Sequence, residues 1–220
     1  YVSLLYKSDK LFNYMGYGYG VTDKQHNVLG SASMGFTPYK TGNLTIDATA
    51  GIDFFSQNYR TRLEKELGET VLRLKGNAQY QFTDEHHVGL VVGVIHTAYG
   101  NDELDGITSF RFTPHYLYKN EDLEAKLGVF VSSEGNVAPD ASLTYHLNPN
   151  SDLYVNVSGY EEDNDFRHLS AIHPYFIMNG YSGGIDGAGI IKMEPAFHQV
   201  DARIGYRFKG FNGFSGDIKA

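Results

Sequence analysis

The chain has 220 residues, among them 25 Gly, 17 Tyr and 14 Phe, and it has no Cys or Trp. The lack of Cys excludes disulfide bonds and zinc–thiolate sites, and the net charge of −8 is opposite to the basic footprint of nucleic-acid-binding proteins. No run of about 18 apolar residues could form a transmembrane helix. The mean hydropathy of −0.34 nevertheless permits a membrane-spanning β-barrel, because only alternate residues of its strands meet lipid.

Alternation of apolar and polar residues runs through most of the chain and predicts β-strands. Segment 44–54 begins this pattern, with Leu44 and Ile46 on one face and Thr45 and Asp47 on the other. The same alternation follows in segments 71–82, 123–132, 153–158 and 196–208. Helical periodicity is conceivable only in the short charged stretch 59–67. We therefore predict one all-β domain over residues 1–220.

Strand lengths and connections refine this prediction. Five segments run to about a dozen residues, as a tilted membrane-spanning strand requires, namely 43–54, 69–82, 87–98, 106–118 and 196–208. Short, turn-forming connections at 38–42, 84–85, 120–121 and 148–151 alternate with longer ones at 55–68, 99–105, 133–138 and 161–170. Outer-membrane barrels have short periplasmic turns and longer extracellular loops. The sequence thus predicts an antiparallel up-and-down transmembrane β-barrel of about 10–14 strands, alone or as part of a larger barrel.

Aromatic residues gather near the predicted strand ends. They are Tyr17, Tyr19, Phe36, Tyr39, Phe54, Phe55, Tyr80, Phe82, Tyr116, Tyr118, Tyr206 and Phe208. Amphipathic rings form girdles at the two lipid–water interfaces of membrane barrels. Strand-terminal packing in a soluble sandwich is the alternative interpretation. The girdle interpretation makes outer-membrane lipid and lipopolysaccharide the expected partners, and the acidic composition predicts no nucleic-acid partner.

The alternation also assigns charged side chains to the face away from lipid, because a charge on the lipid face would cost about 2–4 kcal/mol near the bilayer midplane. The candidate lumen-lining residues are Asp47, Asp53, Arg73, Lys75, Arg111, Glu124, Lys126, Asp201, Arg203 and Arg207. In a wide barrel these charges would favour the passage of polar solutes. In a narrow barrel they would pair and fill the interior, since about 8 strands are just filled by side chains and about 16 leave a channel.

Other clusters give weaker signals. His86 and His87 follow a predicted tight turn, and the histidines on strands lack the i, i+2 spacing of a metal site. The acidic loops 101–105 and 161–165 offer oxygen ligands for Ca²⁺ but lack the full EF-hand pattern. A membrane-embedded hydrolase would have only Ser158, Ser170 and His168 to draw on, with no nucleophile motif around any Ser. We predict no enzymatic activity, no metal site and no cofactor.

Segment 138–176 carries a family resemblance. It contains the hairpin pattern Pro-x-x-x-Leu-x-Tyr-x-Leu-x-Pro, from Pro139 to Pro149, and the run Asn-Asp-Phe-Arg-His-Leu ahead of Pro174-Tyr175. These motifs resemble the barrel portion of Bacteroidetes outer-membrane proteins, either porin-like or related to TonB-dependent receptors. The resemblance implies the outer membrane of a Gram-negative cell. A receptor would also imply a plug and an N-terminal energy-coupling box, which the sequence does not display, and this counts against active transport. The sequence opens in the strand-like run 1–6 and ends without the terminal aromatic residue common in outer-membrane proteins, so we expect the chain to be a fragment.

Three functions are compatible with these features. The first is passage or uptake of polar solutes across the outer membrane through a porin-like or receptor-like barrel. The second is a non-conducting structural or assembly-scaffold barrel that acts through protein partners at its loops or lipid face. The third is a soluble β-barrel that binds a ligand in its interior.

Overall fold

The computed structural model describes residues 2–11, 25–36, 38–58, 67–100, 105–168, 195–209 and 215–219. The described chain forms twelve strands, and one turn of helix covers residues 166–168. The strands are β1 (Val2–Leu11), β2 (Gln25–Gly35), β3 (Tyr39–Thr41), β4 (Leu44–Asn58), β5 (Leu67–Gln81), β6 (His86–Tyr99), β7 (Ile107–Lys119), β8 (Leu123–Ser132), β9 (Val137–Asn148), β10 (Ser151–Glu162), β11 (Ala196–Lys209) and β12 (Ser215–Lys219).

All twelve strands belong to one antiparallel sheet in which sequence neighbours pair, and only the short β3 lies off the main order by pairing with β4 alone. The predicted all-β, antiparallel, up-and-down architecture is therefore confirmed, and the strand number falls within the predicted range. The long strands β4, β6 and β7 are rich in β-branched and aromatic residues, which favour a pleated surface. In the described ranges, β1 and β12 each pair with one neighbour and form the two edges of the sheet.

The two faces of the sheet differ sharply in chemistry. The register aligns Ile52 of β4 with Leu72 of β5, and Asp47 of β4 with Asn77 of β5. We call the face that carries Ile52 the apolar face and the face that carries Asp47 the polar face. Because directly opposed residues share a face, the pairing extends this division from β1 to β12.

Burial is inverted relative to a soluble half-buried sheet. The apolar face leaves large side chains exposed, including Leu127 at 64% and Ile204 at 58%. The most buried residues lie on the polar face, and Val71 and Glu69 there are only 2% and 3% exposed. The packed part of the molecule is consequently on the polar side of the sheet.

The sheet is strongly curved with its polar face inward. Arg111 on β7 donates from Nε to Glu161 Oε2 at the end of β10, at 3.2 Å, although three strand-to-strand steps separate these strands. In a flat sheet three steps would amount to about 14 Å, which is too far for this contact. The polar face is therefore concave, as in a barrel wall.

Short and long connections between the strands alternate largely as predicted, with two corrections. Short connections occupy residues 42–43, 82–85, 120–122 and 149–150, and Gly42 has a φ of 58° in the first of them. The predicted turn 38–42 is largely the strand β3, which pairs with the start of β4. The longer link predicted at 133–138 was wrong, because β8 and β9 are joined by the four-residue turn 133–136. This tight turn interrupts the series of long connections at its end of the sheet.

Exposed aromatic rings follow the short-turn end of the apolar face. Tyr39, Tyr80, Phe82 and Tyr116 all lie there and are between 37% and 62% exposed. Phe55 is a correction to the predicted girdle, because it points to the polar face and is 5% exposed. The predictions for Tyr17 and Tyr19, for the helical stretch 59–67 except its last residue, for most of the acidic loop 101–105 and for Ser170 fall outside the described residues.

Candidate functional site

The register puts the ten charged residues singled out in the sequence on the polar face. These are Asp47, Asp53, Arg73, Lys75, Arg111, Glu124, Lys126, Asp201, Arg203 and Arg207. They do not converge on one point. Asp53, Arg73 and Arg111 belong to a network near the long-link end, whereas Glu124 pairs with Lys119 at 3.1 Å beside the short turn 120–122.

Residues 163–168 form the centre of the network, and we call them the inserted segment. They follow β10 but lie over the polar face of the distant strands β4 to β7. Phe166 is 3% exposed, and its ring meets that of Tyr99 edge-on with centroids 5.4 Å apart. Its backbone N–H donates to Glu69 Oε2 on β5 at 2.8 Å. One buried aromatic ring and one backbone hydrogen bond thus anchor the segment to β5 and β6.

Two ion pairs fix the segment to β4 and β5. Arg73 donates from Nη2 to Asp165 Oδ2 at 2.5 Å and also binds Asp53 through Nη1. Arg167 donates from Nη1 to the other oxygen of Asp53 at 2.6 Å. Cations and carboxylates therefore alternate along a chain from Asp165 through Arg73 and Asp53 to Arg167. Charge-assisted hydrogen bonds of this kind are stronger than neutral ones.

Arg111 holds the start of the segment. Its Nη2 binds Asp163, and its Nε binds Glu161 at 3.2 Å. The Glu161 side chain has no exposed surface, and it also accepts hydrogen bonds from Asn136 Nδ2 at 2.8 Å and from Ser109 Oγ at 3.3 Å. A buried carboxylate is tolerated only when it is paired and hydrogen-bonded, and this one has both kinds of partner.

The carboxylates of the acidic loop 161–165 serve as arginine ligands in the structure. Glu161, Asp163 and Asp165 all bind Arg111 or Arg73. Within the described ranges, no group of three or more His, Cys, Asp or Glu side chains is arranged to hold a metal ion. A cavity of about 20 Å³ between the segment, β6 and β7 is lined by Tyr99 and Ser109 and has room for one water molecule. The arrangement can narrow the concave space and pair the charges that face it.

Histidines take part at the margin of this site. His168 and His198 each place Nε2 3.1 Å from a different oxygen of Glu162. This contact joins the inserted segment to β11. His96 lies on the opposite side of the sheet and bonds Thr108 Oγ1 through Nδ1 at 2.8 Å.

Other charged side chains of the polar face also have hydrogen-bond, ion-pair or ring partners. Lys126 binds Asp140 and Arg203 binds Asp201, both at 2.5 Å, and Asp47 accepts from Asn77 Nδ2 at 3.0 Å. Arg207 lies over the Tyr154 ring, 5.3 Å from its centroid. Lys75 differs from these residues because no hydrogen bond or ion pair holds its ammonium group in the part of the chain that the structure describes.

Sequence reasoning missed the inserted segment and its partner Glu69. Period-two alternation places a residue on a face only inside a strand, and the segment lies beyond the end of β10. A usable signal was present in the spacing of Asp163, Asp165 and Arg167, whose charges are opposite to those of Arg111, Arg73 and Asp53 on the facing strands.

The part of the chain that the structure describes has no helix long and apolar enough to cross a membrane. A search of family models found no match to the chain. A search of curated proteins likewise found no protein of significant similarity.

Proposed function

We propose that the chain forms a β-barrel in the outer membrane of a Gram-negative bacterium, porin-like or receptor-like, and that polar solutes pass through its interior. The observation that carries this proposal is the exposure of large apolar side chains over one whole face of the sheet. Leu4 on β1 is 78% exposed, Leu127 on β8 is 64% exposed, and Ile218 on β12 is 68% exposed. The exposed apolar side chains thus extend from one edge of the sheet to the other.

Water is a poor solvent for such a surface. The largest apolar patch on a typical soluble monomer covers about 300–600 Å², and burying apolar area is worth about 25 cal/mol per Å². Lipid chains would cover the apolar face, and the exposed rings of Tyr39, Tyr80 and Tyr116 would meet the interface at the short-turn end. The concave polar face would then enclose a hydrated interior.

The inserted segment supports a restriction on what passes. It occupies the concave side near the long-link end, where its ion pairs with Arg73 and Arg111 fix its position. A solute entering from that end would pass a surface of compensated charges rather than one strong field. Small polar solutes fit this arrangement better than large or strongly charged ones.

Reconstitution tests the proposal directly. Protein folded in detergent is added to a planar lipid bilayer, and the ion current is recorded under applied voltage. We expect discrete conductance steps from the wild-type protein. Protein that inserts into vesicles, as judged by resistance to alkaline carbonate extraction, and yet carries no current would refute passage of solutes.

The ion-pair network favours one second function, the non-conducting barrel that acts through protein partners. Arg73, Arg111 and Lys126 are all bound to carboxylates, as expected if side chains fill the interior. The bilayer measurement separates these two functions. A soluble ligand-binding barrel is the weaker alternative, and a protein that stays monodisperse in buffer without detergent would favour it over both membrane functions.

A further inference from the structure

We propose that β1 and β12 do not pair with each other, and that one further strand of the parent polypeptide, outside residues 1–220, lies between them and closes the wall. This closing strand runs antiparallel to both edges, and we call the gap that it fills the seam. The inference rests on the proposed function for the barrel that the strand completes. Strand direction, side-chain exposure and the cost of bare backbone in lipid all support it.

The two edge strands run in the same direction. The main order from β1 to β12 contains eleven strands, and each is antiparallel to its neighbours. The short β3 does not alter this order, because it follows β2 in the chain and pairs with the same strand, β4. Direction reverses at each of the ten steps, so β1 and β12 both run from the short-turn end to the long-link end.

These directions prevent an antiparallel pair between the two edges. An antiparallel wall that closes on itself needs an even number of strands, because direction must also reverse across the seam. Joining β1 directly to β12 would create a parallel pair, and the sheet has none among the described strands. One strand that runs the other way would be antiparallel to both edges, and one is the smallest number that restores the alternation.

The direction of the edges also favours a strand of the same polypeptide. A strand that followed β12 after a long link, or that preceded β1 by a short turn, would run from the long-link end to the short-turn end. Either route would continue the up-and-down order of the sheet. A second copy of the chain could not fill this role, because its edges would run in the same direction as β1 when both copies have the same orientation in the membrane.

Side chains at both edges lack a neighbour on one side. Leu4 on β1 is 78% exposed, and Ile218 on β12 is 68% exposed. The most exposed large apolar side chain on an interior strand is Leu127, at 64%, among the described residues. The polar face of β1 is open as well, because Leu5 points to that face and is exposed. A strand beside β1 would cover both of its faces.

The backbone of the edges provides the physical reason for covering them. In the described ranges the outer side of β1 has no strand partner, so a row of N–H and C=O groups points away from the sheet. Water can satisfy these groups, but hydrocarbon cannot, and open sheet edges do not occur in contact with lipid. A barrel in a membrane therefore requires a paired strand at the seam.

Cysteine cross-linking measures the distance across the seam, and residues 1–220 contain no Cys that would interfere. The protein is produced from its complete gene in the outer membrane, with Ile218→Cys combined in turn with a Cys at each residue of β1. Copper phenanthroline forms disulfides between direct neighbours, which requires Cα atoms within about 7 Å. A bismaleimide that spans about 10 Å, or two strand spacings, also links residues with one strand between them.

The known part of the sheet supplies both controls. Leu4 is the direct partner of Ala32, and Ala32 is the direct partner of Ile52. The pair Leu4→Cys/Ala32→Cys should therefore form the disulfide. The pair Leu4→Cys/Ile52→Cys should form the bismaleimide product alone, as expected for two residues with one strand between them.

We expect Ile218→Cys to give a bismaleimide product with at least one position of β1, at a yield within about twofold of the Leu4/Ile52 control, and a disulfide with none. A disulfide at the yield of the Leu4/Ala32 control would overturn the proposal, because it would show that β1 and β12 are direct neighbours. Neither product at the seam, with both controls reactive, would overturn it by placing the edges further apart. A product that joins two chains on a denaturing gel would overturn the assignment to the same polypeptide.

Hydrogen–deuterium exchange of β1 (Val2–Leu11) shows whether a strand fills the seam. Pairing on both sides would protect nearly all of its amides, whereas pairing with β2 alone would protect about half of them. Half protection would overturn the closing strand. Bilayer recordings of the same protein keep this result separate from the proposed function. A closed seam without ion current would overturn solute passage and support the strand, whereas current together with a disulfide at the seam would overturn the strand and leave passage standing.

Discussion

Replacing Arg111 by Met should destabilise the folded protein strongly, because it leaves a buried carboxylate without its cationic partner. Glu161 has no exposed side-chain surface and would retain hydrogen bonds only from neutral groups such as Ser109 and Asn136. Breaking a buried ion pair by removing one partner costs about 3–5 kcal/mol, because a charge is left buried without compensation. Asp163 is partly exposed and would recover water, so we expect Glu161 to account for most of the loss.

The free energy of unfolding is measured by urea titration of the protein folded in detergent micelles. Far-UV circular dichroism follows the transition, since the chain has no Trp to report by fluorescence. The control is Lys119→Met, which breaks an exposed pair with Glu124 and should cost only about 0–1 kcal/mol. The double variant Arg111→Met/Glu161→Gln should recover at least half of the lost free energy of unfolding, because residue 161 no longer carries a buried charge.

Two results would contradict this reasoning. One is a loss for Arg111→Met no larger than that for Lys119→Met, which would mean that water reaches Glu161. The other is a double variant as unstable as the single one, which would place the effect in the packing of the Arg111 side chain rather than in the buried charge.

Three further predictions concern the two faces and the inserted segment. Val155→Arg puts a cation on the exposed apolar face and should destabilise the protein in vesicles by about 2–4 kcal/mol. The control Asn156→Arg puts the same cation on the polar face and should cost far less. Equal losses of unfolding free energy in urea would contradict contact between the apolar face and lipid. Gly159→Ala should lower the urea midpoint of unfolding, because the added Cβ would lie 2.6 Å from a backbone carbonyl oxygen of β11. The control Gly76→Ala adds a Cβ in open space and should leave the midpoint nearly unchanged. Phe166→Ala should release the inserted segment and allow trypsin to cleave after Arg167, which mass spectrometry of the digest would detect. Resistance to trypsin equal to that of the wild type would show that the Phe166 ring does not anchor the segment.

The sheet could be predicted from the sequence because a period of two in hydrophobicity fixes both strand and face. Ile52 and Asp53, for example, are adjacent in sequence and point to opposite faces, as their alternation requires. The failures arose where alternation carries no information. Phe55 continues the chain beyond the alternating run and enters the polar-side core, although a ring at a strand end is equally typical of an interface.

The candidate site was only half predictable for the same physical reason. Arg73 and Arg111 were assigned to the polar face correctly, but the residues that neutralise them come from a segment without strand periodicity. Pairing of Arg73 with Asp165 depends on how strongly the sheet curves, which follows from the whole set of strands and not from any one of them. Nothing in the alternation of β5 indicates which charges would remain unpaired, so the difference between Lys75 and Arg73 was visible only in three dimensions.

The contacts of the inserted segment have a consequence for the order of folding. Sequential antiparallel pairing relies on contacts between neighbours in the chain, which form quickly and can fray one strand at a time from either edge. The bond between Arg73 and Asp165 spans 92 residues, and that between Phe166 and Glu69 spans 97. Neither bond can form until β10 has been added and the sheet has bent. They would therefore close only after β5 to β10 have paired. Once closed, they would couple the unfolding of β10 to the unfolding of β5, so that the strands between them unfold as one unit.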